Sequence, residues 1–205
     1  MSKGASSQTP PAISAQDWGI LILLGVVGGS SFILIKKGLN AFSPVEMALL
    51  RIEITGLAFI PIYFFLAKGS VPRNKLFWVA SVGVLGSGLP AFLFAFAETR
   101  VASSVAGMLN SLTPIFTWAI GLIFFSVAFV PNQLLGVLIG FAGAMAIIAL
   151  EPNFSLHIDP LTLLIVLATV SYALSGNIVK AKLQDIEPIT LSSIAFLFIG
   201  VPAIL

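Results

Sequence analysis

The sequence predicts an all-α membrane protein, a polytopic bundle of helices. Hydrophobic residues make up 58% of the 205 residues and charged residues only 9%, against roughly 25% charged in a soluble domain. Seven apolar runs are long enough to cross a bilayer core, which needs roughly 20 residues per helix. These runs lack the alternating pattern of a membrane β-barrel strand, so the spans are predicted to be helices.

The seven runs set the predicted element order. They are Trp18–Ile35, Val45–Ala67, Leu76–Ala97, Val101–Val130, Leu134–Leu150, Leu161–Val179 and Ile189–Leu205. The fourth run is too long for one plain span, so we expect its helix to end near Phe125, with a loop from Ala128 to Gln133. The polar stretch 1–14 predicts a disordered tail rather than a signal peptide, because a full-length apolar span follows it.

An internal repeat predicts how the spans are arranged. Eight residues recur at a constant offset: Leu23, Val26, Ser31, Lys36, Leu39, Pro44, Gly56 and Ile60 return as Leu167, Val170, Ser175, Lys180, Leu183, Pro188, Gly200 and Ile204. The copies begin on an odd and an even span, so they must lie inverted in the bilayer. Inverted repeats are common in secondary transporters, whose substrate site lies near the midplane where the repeats meet. The first hypothesis is therefore a carrier.

Loop charges predict the orientation of the chain. With the N-terminus in the cytoplasm, the inner side holds Lys3, Lys68, Arg73, Lys75, Lys180 and Lys182, and the outer side holds Lys36, Lys37 and Arg100. Six against three favours this placement in a plasma or inner membrane. The expected partners are the lipid bilayer and a small-molecule solute, and a homodimer is left open. Nucleic acid is not expected, because a net charge of +2 forms no basic patch.

The motifs of enzymes are missing from the spans. The chain has no cysteine, which excludes disulfides and thiol chemistry. It contains neither His-Glu-x-x-His nor Gly-x-Ser-x-Gly, the patterns of metal hydrolases and serine hydrolases. His157 has no second His or Cys nearby, so no metal site is expected, and no cofactor is expected either. A membrane-embedded enzyme and a non-transporting scaffold remain the alternatives to a carrier.

Small residues predict how the helices pack. Gly25 and Gly29 in the first span, and Gly136 and Gly140 in the fifth, are spaced by four, which is typical of close helix contacts. A glycine cluster before Pro90 predicts a kinked or flexible third span. A phosphate loop is not expected there, because no strand precedes the cluster.

The fourth span carries the strongest signal for a polar cavity. Asn110, Ser111, Thr113 and Thr117 bring amide and hydroxyl groups into an apolar helix, and their spacing places three of them on one face. Pro114 lacks a backbone N–H, so the carbonyl near Asn110 needs another partner. These groups either line a solute cavity or bond their own and neighbouring helices.

The sixth span offers an equivalent set of polar groups. Tyr172, Ser175 and Asn177 lie where the second copy repeats the first. The ring of Tyr172 could stack on a solute, and its hydroxyl could bond one. We therefore expect these side chains to face the same cavity as the fourth span.

Ionisable residues near the spans are the candidates for coupling. Such groups cost roughly 2.5 to 3.5 kcal/mol on insertion scales. Arg51 and Glu53 are two residues apart, so they point to nearly opposite faces and are not expected to pair. Lys36 either snorkels to the headgroups or contacts an anion at the cavity mouth. Glu98 and Arg100 are expected to form a solvated pair, and Glu98 is the best-placed carboxylate for sensing outside protons.

Two stretches resemble EamA-type carriers of the drug/metabolite transporter superfamily. The first is Gly28-Gly29-Ser30-Ser31-Phe32-Ile33-Leu34-Ile35-Lys36 with Ser43-Pro44 and Leu49-Leu50-Arg51, similar to that family's first hairpin; the second is Ser111-Leu112-Thr113-Pro114-Ile115-Phe116-Thr117, similar to its fourth span. The resemblance covers Ala15 to Leu205. It implies ten helices in two inverted five-helix repeats, with residues 15–150 as the first repeat and 159–205 as the start of the second.

Two departures leave the substrate class open. Gly28 stands where the family usually has Trp, although Tyr172 fills the matching place in the second copy, and no acidic residue follows the fourth span. The chain also stops inside its seventh apolar run, so we expect a fragment with seven of the ten helices.

The prediction is a secondary transporter that moves a small organic metabolite, amino acid or drug-like solute by alternating access, driven by exchange or a proton gradient. The candidate solute residues are Asn110, Ser111, Thr113, Pro114, Thr117, Tyr172, Ser175 and Asn177, and the candidate coupling or gating residues are Lys36, Arg51, Glu53 and Glu98.

Overall fold

Helices account for nearly all of the described chain. The computed structural model describes residues 14–67, 69–125, 131–150 and 159–203; the predicted tail up to residue 13 and the loop that carries His157 lie outside these ranges. The helices are α1 (Ala15–Gly38), α2 (Pro44–Leu66), α3 (Leu76–Gly83), α4 (Leu89–Ala97), α5 (Ser103–Asn110), α6 (Thr113–Phe125), α7 (Pro131–Ala149), α8 (Thr162–Lys182) and α9 (Pro188–Ala203).

The helices form spans that match the prediction in number and order. Five spans within the described ranges are long and apolar enough to cross a membrane: Ala15–Gly38, Pro44–Leu66, Arg73–Ala97, Ser103–Phe125 and Thr162–Lys182. Two shorter apolar helices, Leu134–Ala146 and Pro188–Ala203, correspond to the fifth and seventh predicted runs. The predicted fold class, a polytopic bundle of α-helices, is confirmed.

Proline positions explain where several helices begin. Pro44 begins α2 directly after Ser43, whose hydroxyl accepts the N–H of Glu46 at 3.3 Å. Its repeat mate Pro188 begins α9. Pro131 begins α7 in the same way, so the predicted loop is wrong from Pro131 onward. A proline suits the first turn, because the N–H it lacks would have no helical partner there.

The third span is interrupted, as its glycine cluster predicts, and the fourth span is interrupted as well. The third has a π-helical segment, Val84–Gly88, between α3 and α4. The fourth breaks between α5 and α6, where the N–H groups of Ser111 and Leu112 bond the carbonyls three residues earlier. Pro114 explains this break, because it cannot bond the carbonyl of Asn110.

The glycine cluster of the third span lets helices approach closely. A Cβ atom on Gly83 would lie 2.6 Å from the carbonyl oxygen of Ala195, and one on Gly86 would lie 2.6 Å from Ser175 Oγ. The packing predicted for Gly25, Gly29, Gly136 and Gly140 is wrong within the described structure. No neighbouring atom lies within 4 Å of a Cβ at any of those four positions, because their helices face cavities there.

The two repeat copies cross at equivalent glycines. A Cβ on Gly56 would lie 3.1 Å from the Cα of Gly200, and a Cβ on Gly200 would lie 3.1 Å from the Cα of Gly56. The next contacts are also reciprocal: Gly56 meets the carbonyl of Phe196, and Gly200 meets that of Ile52. Phe196 is the repeat mate of Ile52. These reciprocal contacts are those expected of a local twofold between α2 and α9.

The matched lysines end their helices at opposite ends of the bundle. At the C-terminal end of α4, Lys36 bonds backbone carbonyls. Near the N-terminal end of α3, Lys182 lies 5.7 Å from the ring centre of Trp78, one turn or less from Lys180. Because α3 and α4 belong to one span, α1 and α8 run in opposite directions. This is the inverted arrangement expected from the repeat.

Helix α8 lies at the centre of the described bundle. It packs against α3, α4, α5 and α6. Its buried Ile165 and Ala168 join the cluster around Phe94, and its Ile178 joins a second cluster around Val79. The first helix of the second repeat is thus inserted among helices of the first.

Candidate functional site

A cavity of about 1180 Å³ lies among α1, α2, α5, α6 and α8. We call it the arginine cavity, because Arg51 lines it. The other polar residues of its wall are Ser31, Ser103, Ser104, Asn110, Ser111, Thr113 and Tyr172, and its large apolar residues are Leu24, Phe32, Ile33, Ile35 and Phe94. Five of the eight predicted solute residues line it: Asn110, Ser111, Thr113, Pro114 and Tyr172.

The break in the fourth span presents unpaired polar atoms to this cavity. Asn110 Oδ1 and Thr113 Oγ1 are buried and have no hydrogen-bond partner among the residues that the structure describes. The Asn110 carbonyl also lacks its usual helical donor, because that donor would be the nitrogen of Pro114. Buried polar atoms without partners are costly, by about 1 to 3 kcal/mol each. A bound solute or water would remove that cost.

Two residues at equivalent positions of the repeat lie in another part of the cavity wall. Gly28 and its repeat mate Tyr172 both line the arginine cavity. Open space surrounds the position of a Cβ on Gly28, whereas the Tyr172 ring stacks on Phe94 at 6.2 Å between centres. The glycine leaves room on one side, and the tyrosine supplies a hydroxyl and a rigid ring on the other.

An adjoining cavity of about 890 Å³ shares Ser111, Thr113 and Pro114 with the first. Thr117 and Asn177 also line it, but both serve the helix backbones. Asn177 Nδ2 donates to the Thr117 carbonyl at 3.0 Å and to the Ala173 carbonyl at 2.9 Å. Thr117 Oγ1 donates to the Thr113 carbonyl at 2.8 Å. The bond to the Thr117 carbonyl joins α8 to α6, and the other two bonds lie within one helix each.

Ser175 lies apart from the other predicted solute residues. Its hydroxyl is buried and lies 3.4 Å from the carbonyl of Val82. It lines a smaller cavity of about 370 Å³ between α3, α8 and α9. The structure therefore separates Ser175 from the arginine cavity, and joins α8 to the third span there.

Arg51 and Glu53 are separated as the spacing predicts. Arg51 lines the arginine cavity and a small space of about 160 Å³ beside it. Its Nη1 is buried without a hydrogen-bond partner. Glu53 is half-buried but lines neither the arginine cavity nor the adjoining cavity. The two side chains form no ion pair in the part of the chain that the structure describes.

Glu98 is buried in the connection between the third and fourth spans. Its side chain is 0% exposed, Oε2 accepts the Ser103 hydroxyl at 3.1 Å, and Oε1 has no partner. Burial raises the pKa of its carboxyl from 4.5 to about 7, although the Ser103 hydrogen bond and the charges of Arg51 and Lys36 oppose the rise. The predicted solvated pair with Arg100 is wrong, because Arg100 is exposed and Glu98 faces inward.

The Ser103 hydroxyl has two acceptors and one hydrogen. It lies 3.1 Å from Glu98 Oε2 and 3.2 Å from the Phe32 carbonyl oxygen. A hydroxyl donates only one hydrogen bond. When Glu98 is ionised, the hydroxyl can donate to either of these oxygens; when Glu98 carries a proton, the carboxyl can donate to Ser103 while Ser103 donates to the Phe32 carbonyl. The geometry therefore accommodates both forms of Glu98, and burial favours the protonated one.

Lys36 caps the end of the third span rather than facing the arginine cavity. Its Nζ donates to the Glu98 carbonyl at 2.5 Å and to the Val101 carbonyl at 3.2 Å. The last carbonyls of a helix lack helical partners, and a cation near them is favourable. Lys36 thus ties α1 to the loop that holds Glu98.

Replacing Lys36 with Met should destabilise the protein by about 1 to 3 kcal/mol, because two carbonyls lose a charged donor. Thermal unfolding of purified protein in detergent measures the effect. Lys37→Met is the matched control, since Lys37 is exposed. Equal unfolding temperatures for the two variants would contradict the capping role.

Sequence reasoning missed Ser103. It starts α5, and it reaches Glu98 only because the short turn after α4 brings the two together. A serine at the first residue of a helix is usually read as part of a cap. Its position five residues after a carboxylate was the available signal.

Comparison with known proteins also indicates a membrane transporter family. The sequence profile of the EamA-like transporter family matches residues 15–149. A protein of Archaeoglobus fulgidus named "Uncharacterized transporter" is 29% identical over 185 residues, which cover 90% of this chain and 65% of that protein. No solved structure gives a significant match.

Two bacterial relatives have a more specific name. Proteins of Salmonella typhimurium and Escherichia coli, each named "Probable amino-acid metabolite efflux pump", are 29% identical over 182 and 179 residues. The alignments cover 86% and 84% of this chain, but 57% and 56% of those proteins. The chain thus spans between 56% and 65% of the length of the relatives named here.

The family profile covers α1 to α7, including Arg51, Glu98 and the break at Pro114. It agrees with the apolar spans and with the motifs of the first hairpin and the fourth span. The protein is a multi-pass integral membrane protein that belongs to the EamA-like transporter family.

Proposed function

We propose that this protein is a secondary transporter that moves a small organic solute through the arginine cavity by alternating access. The observation that carries the proposal is the set of buried, unpaired polar atoms at the break of the fourth span. Such atoms are stabilised by a ligand that enters and leaves, whereas a purely structural helix would pair them internally. The N-terminus lies in the cytoplasm, as the loop charges favour.

The inverted repeat supports alternating access. Rocking of one repeat against the other would open the midplane site to each side in turn. The crossing of α2 and α9 at Gly56 and Gly200 supplies a smooth backbone contact about which such motion can occur. The names of the two bacterial relatives support a metabolite of the amino-acid type as the solute.

Glu98 is the proposed proton-coupling residue. It lies next to the arginine cavity, its protonation is linked to Ser103 and the Phe32 carbonyl, and the cations that face it are Arg51 and Lys36. A solute that alters the charge balance at Arg51 would change the affinity of Glu98 for a proton. Coupling of this kind is reciprocal.

Removing the unpaired groups tests the proposal. In vesicles that contain the full chain, Asn110→Ala and Thr113→Val should each reduce solute flux by about tenfold or more, because each removes a polar contact worth about 1 to 2 kcal/mol. The measurement is uptake or export across a panel of labelled amino acids and related metabolites.

Two matched variants serve as controls. Asn40→Ala and Thr99→Val change the same residue types at exposed positions outside the cavity, and they should keep normal flux. Membrane levels of all four variants are measured in parallel. Normal flux in both Asn110→Ala and Thr113→Val, at normal levels, would refute the cavity assignment.

A further inference from the structure

We propose that the arginine cavity binds a monocarboxylate with a mostly apolar body, and that the Arg51 guanidinium receives its carboxylate. This inference rests on the proposed function and names the chemical class of the solute.

Arg51 gives the arginine cavity a positive charge. Among the described residues that line the arginine cavity, Arg51 is the charged one, and no Asp, Glu or Lys accompanies it. A cation at membrane depth is costly unless it faces a pair or a wet cavity. The cavity therefore carries a positive charge that an anionic ligand would neutralise.

The Arg51 guanidinium also has an N–H group that is available to a ligand. Arg51 Nη1 is buried and has no hydrogen-bond partner in the described part of the chain. Neither Glu53 nor Glu98 forms an ion pair with Arg51 among the described residues, and Glu98 Oε1 and Arg51 Nη1 both lack a partner there. A guanidinium presents its N–H groups as a planar fork that matches a carboxylate, often through two parallel bonds.

The wall of the arginine cavity near Arg51 is mostly apolar and aromatic. Phe32, Phe94 and the Tyr172 ring form an apolar surface near Arg51. Ligand sites commonly combine such surfaces with a few polar groups that fix orientation. One guanidinium balances one negative charge, so a carboxylate fits better than a phosphate, which carries up to two charges at neutral pH.

Three probes with the same phenyl ring and methylene group test the inference. Phenylacetate carries a carboxylate, phenylacetamide replaces it with a neutral amide, and benzylamine is a cation. Binding to the full purified chain is measured by calorimetry in detergent. We expect phenylacetate to bind at least tenfold more tightly than phenylacetamide, and benzylamine to bind most weakly.

Variants of Arg51 assign the charge effect to this side chain. Arg51→Gln should weaken phenylacetate binding by roughly 10- to 100-fold, the range for a lost charged hydrogen bond, and should leave phenylacetamide binding unchanged. The affinity of Arg51→Lys for phenylacetate should lie between those of the unchanged protein and Arg51→Gln, because lysine keeps the charge but lacks the planar fork of N–H groups. The control is Arg100→Gln, which changes an exposed arginine.

A second measurement keeps the test valid if Arg51 variants fail to fold. The chain has three arginines, Arg51, Arg73 and Arg100, so the double variant Arg73→Lys/Arg100→Lys leaves Arg51 as the target of phenylglyoxal. Mass spectrometry measures its modification rate. Phenylacetate should slow the modification and phenylacetamide should not.

Several results would overturn the inference. These are equal affinities for phenylacetate and phenylacetamide, tighter binding of benzylamine, or modification of Arg51 that phenylacetate does not slow. Failure of the proposed function looks different, because flux of every solute would then be insensitive to Asn110→Ala and Thr113→Val. Transport of neutral or cationic solutes that depends on those two residues would remove the carboxylate inference alone.

Discussion

Replacing Gly56 with Leu should prevent α2 and α9 from packing at their present distance. Even a Cβ at Gly56 would lie 3.1 Å from the Cα of Gly200, and the neighbour is backbone that cannot rotate away. Overpacking of this kind typically costs about 1 to 3 kcal/mol, and a leucine side chain at a backbone contact lies at the upper end. We expect a clear fall in the thermal unfolding temperature and in the yield of monodisperse protein.

The same contact can be tested from its other side, at Gly200. Gly200→Leu should destabilise the protein by a similar amount, because Gly200 meets Gly56 at the same 3.1 Å. The double variant should be less destabilised than the sum of the two single changes, since both break one contact. Gly56→Ala should have a smaller effect, because the helices need to move by only a few tenths of an ångström.

Gly19→Leu is the matched control for these variants. Gly19 lies in α1, and no neighbouring atom lies within 4 Å of its Cβ position. Its unfolding temperature should stay near that of the unchanged protein. If Gly56→Leu and Gly19→Leu unfold at the same temperature, α2 and α9 do not cross at this glycine pair.

Replacing Glu98 with Gln should remove a pH dependence of stability. The folded-state pKa of Glu98 is about 7, above its usual 4.5, so the folded protein binds a proton that the unfolded chain releases between these values. The stabilisation is therefore greatest below pH 4.5 and is lost as the pH rises to 7. Its size is roughly 3 kcal/mol, since each pKa unit corresponds to about 1.4 kcal/mol.

Unfolding temperatures measured from pH 4.5 to pH 8 check this prediction. The difference in stability between the unchanged protein and Glu98→Gln should change by roughly 3 kcal/mol across that range. At pH 8, Glu98→Gln should be at least as stable as the unchanged protein. Glu53→Gln is the control, because Glu53 is half-buried outside the cavity. A pH-independent difference for Glu98→Gln would contradict the buried, protonated carboxyl.

The same variant separates stability from transport. If Glu98 couples protons, Glu98→Gln should lose flux driven by a pH gradient and keep solute exchange at equal pH. Loss of both would indicate a structural role for Glu98. Loss of gradient-driven flux in Glu53→Gln instead would transfer the coupling role to Glu53.

The sequence predicted the spans, their inversion and the carbonyl that Pro114 leaves without a donor in the fourth span, because each depends on local features. An apolar run of sufficient length must cross the bilayer as a helix, and a proline such as Pro114 removes a helical bond wherever the chain goes. A repeat that begins on spans of opposite parity must be inverted. The repeat pairs Gly56 with Gly200 as equivalent positions, but only the structure shows that they are in contact.

Only the tertiary structure decided which polar side chains face the cavity and which serve the backbone. Asn110 and Asn177 look alike in the sequence, but Asn177 bonds two carbonyls while Asn110 keeps an unpaired oxygen. Glu98 was expected in solvent and is buried against Ser103. The physical reason is that pairing and burial depend on helix rotation and on turns between helices, which residue types and spacing within one helix do not determine.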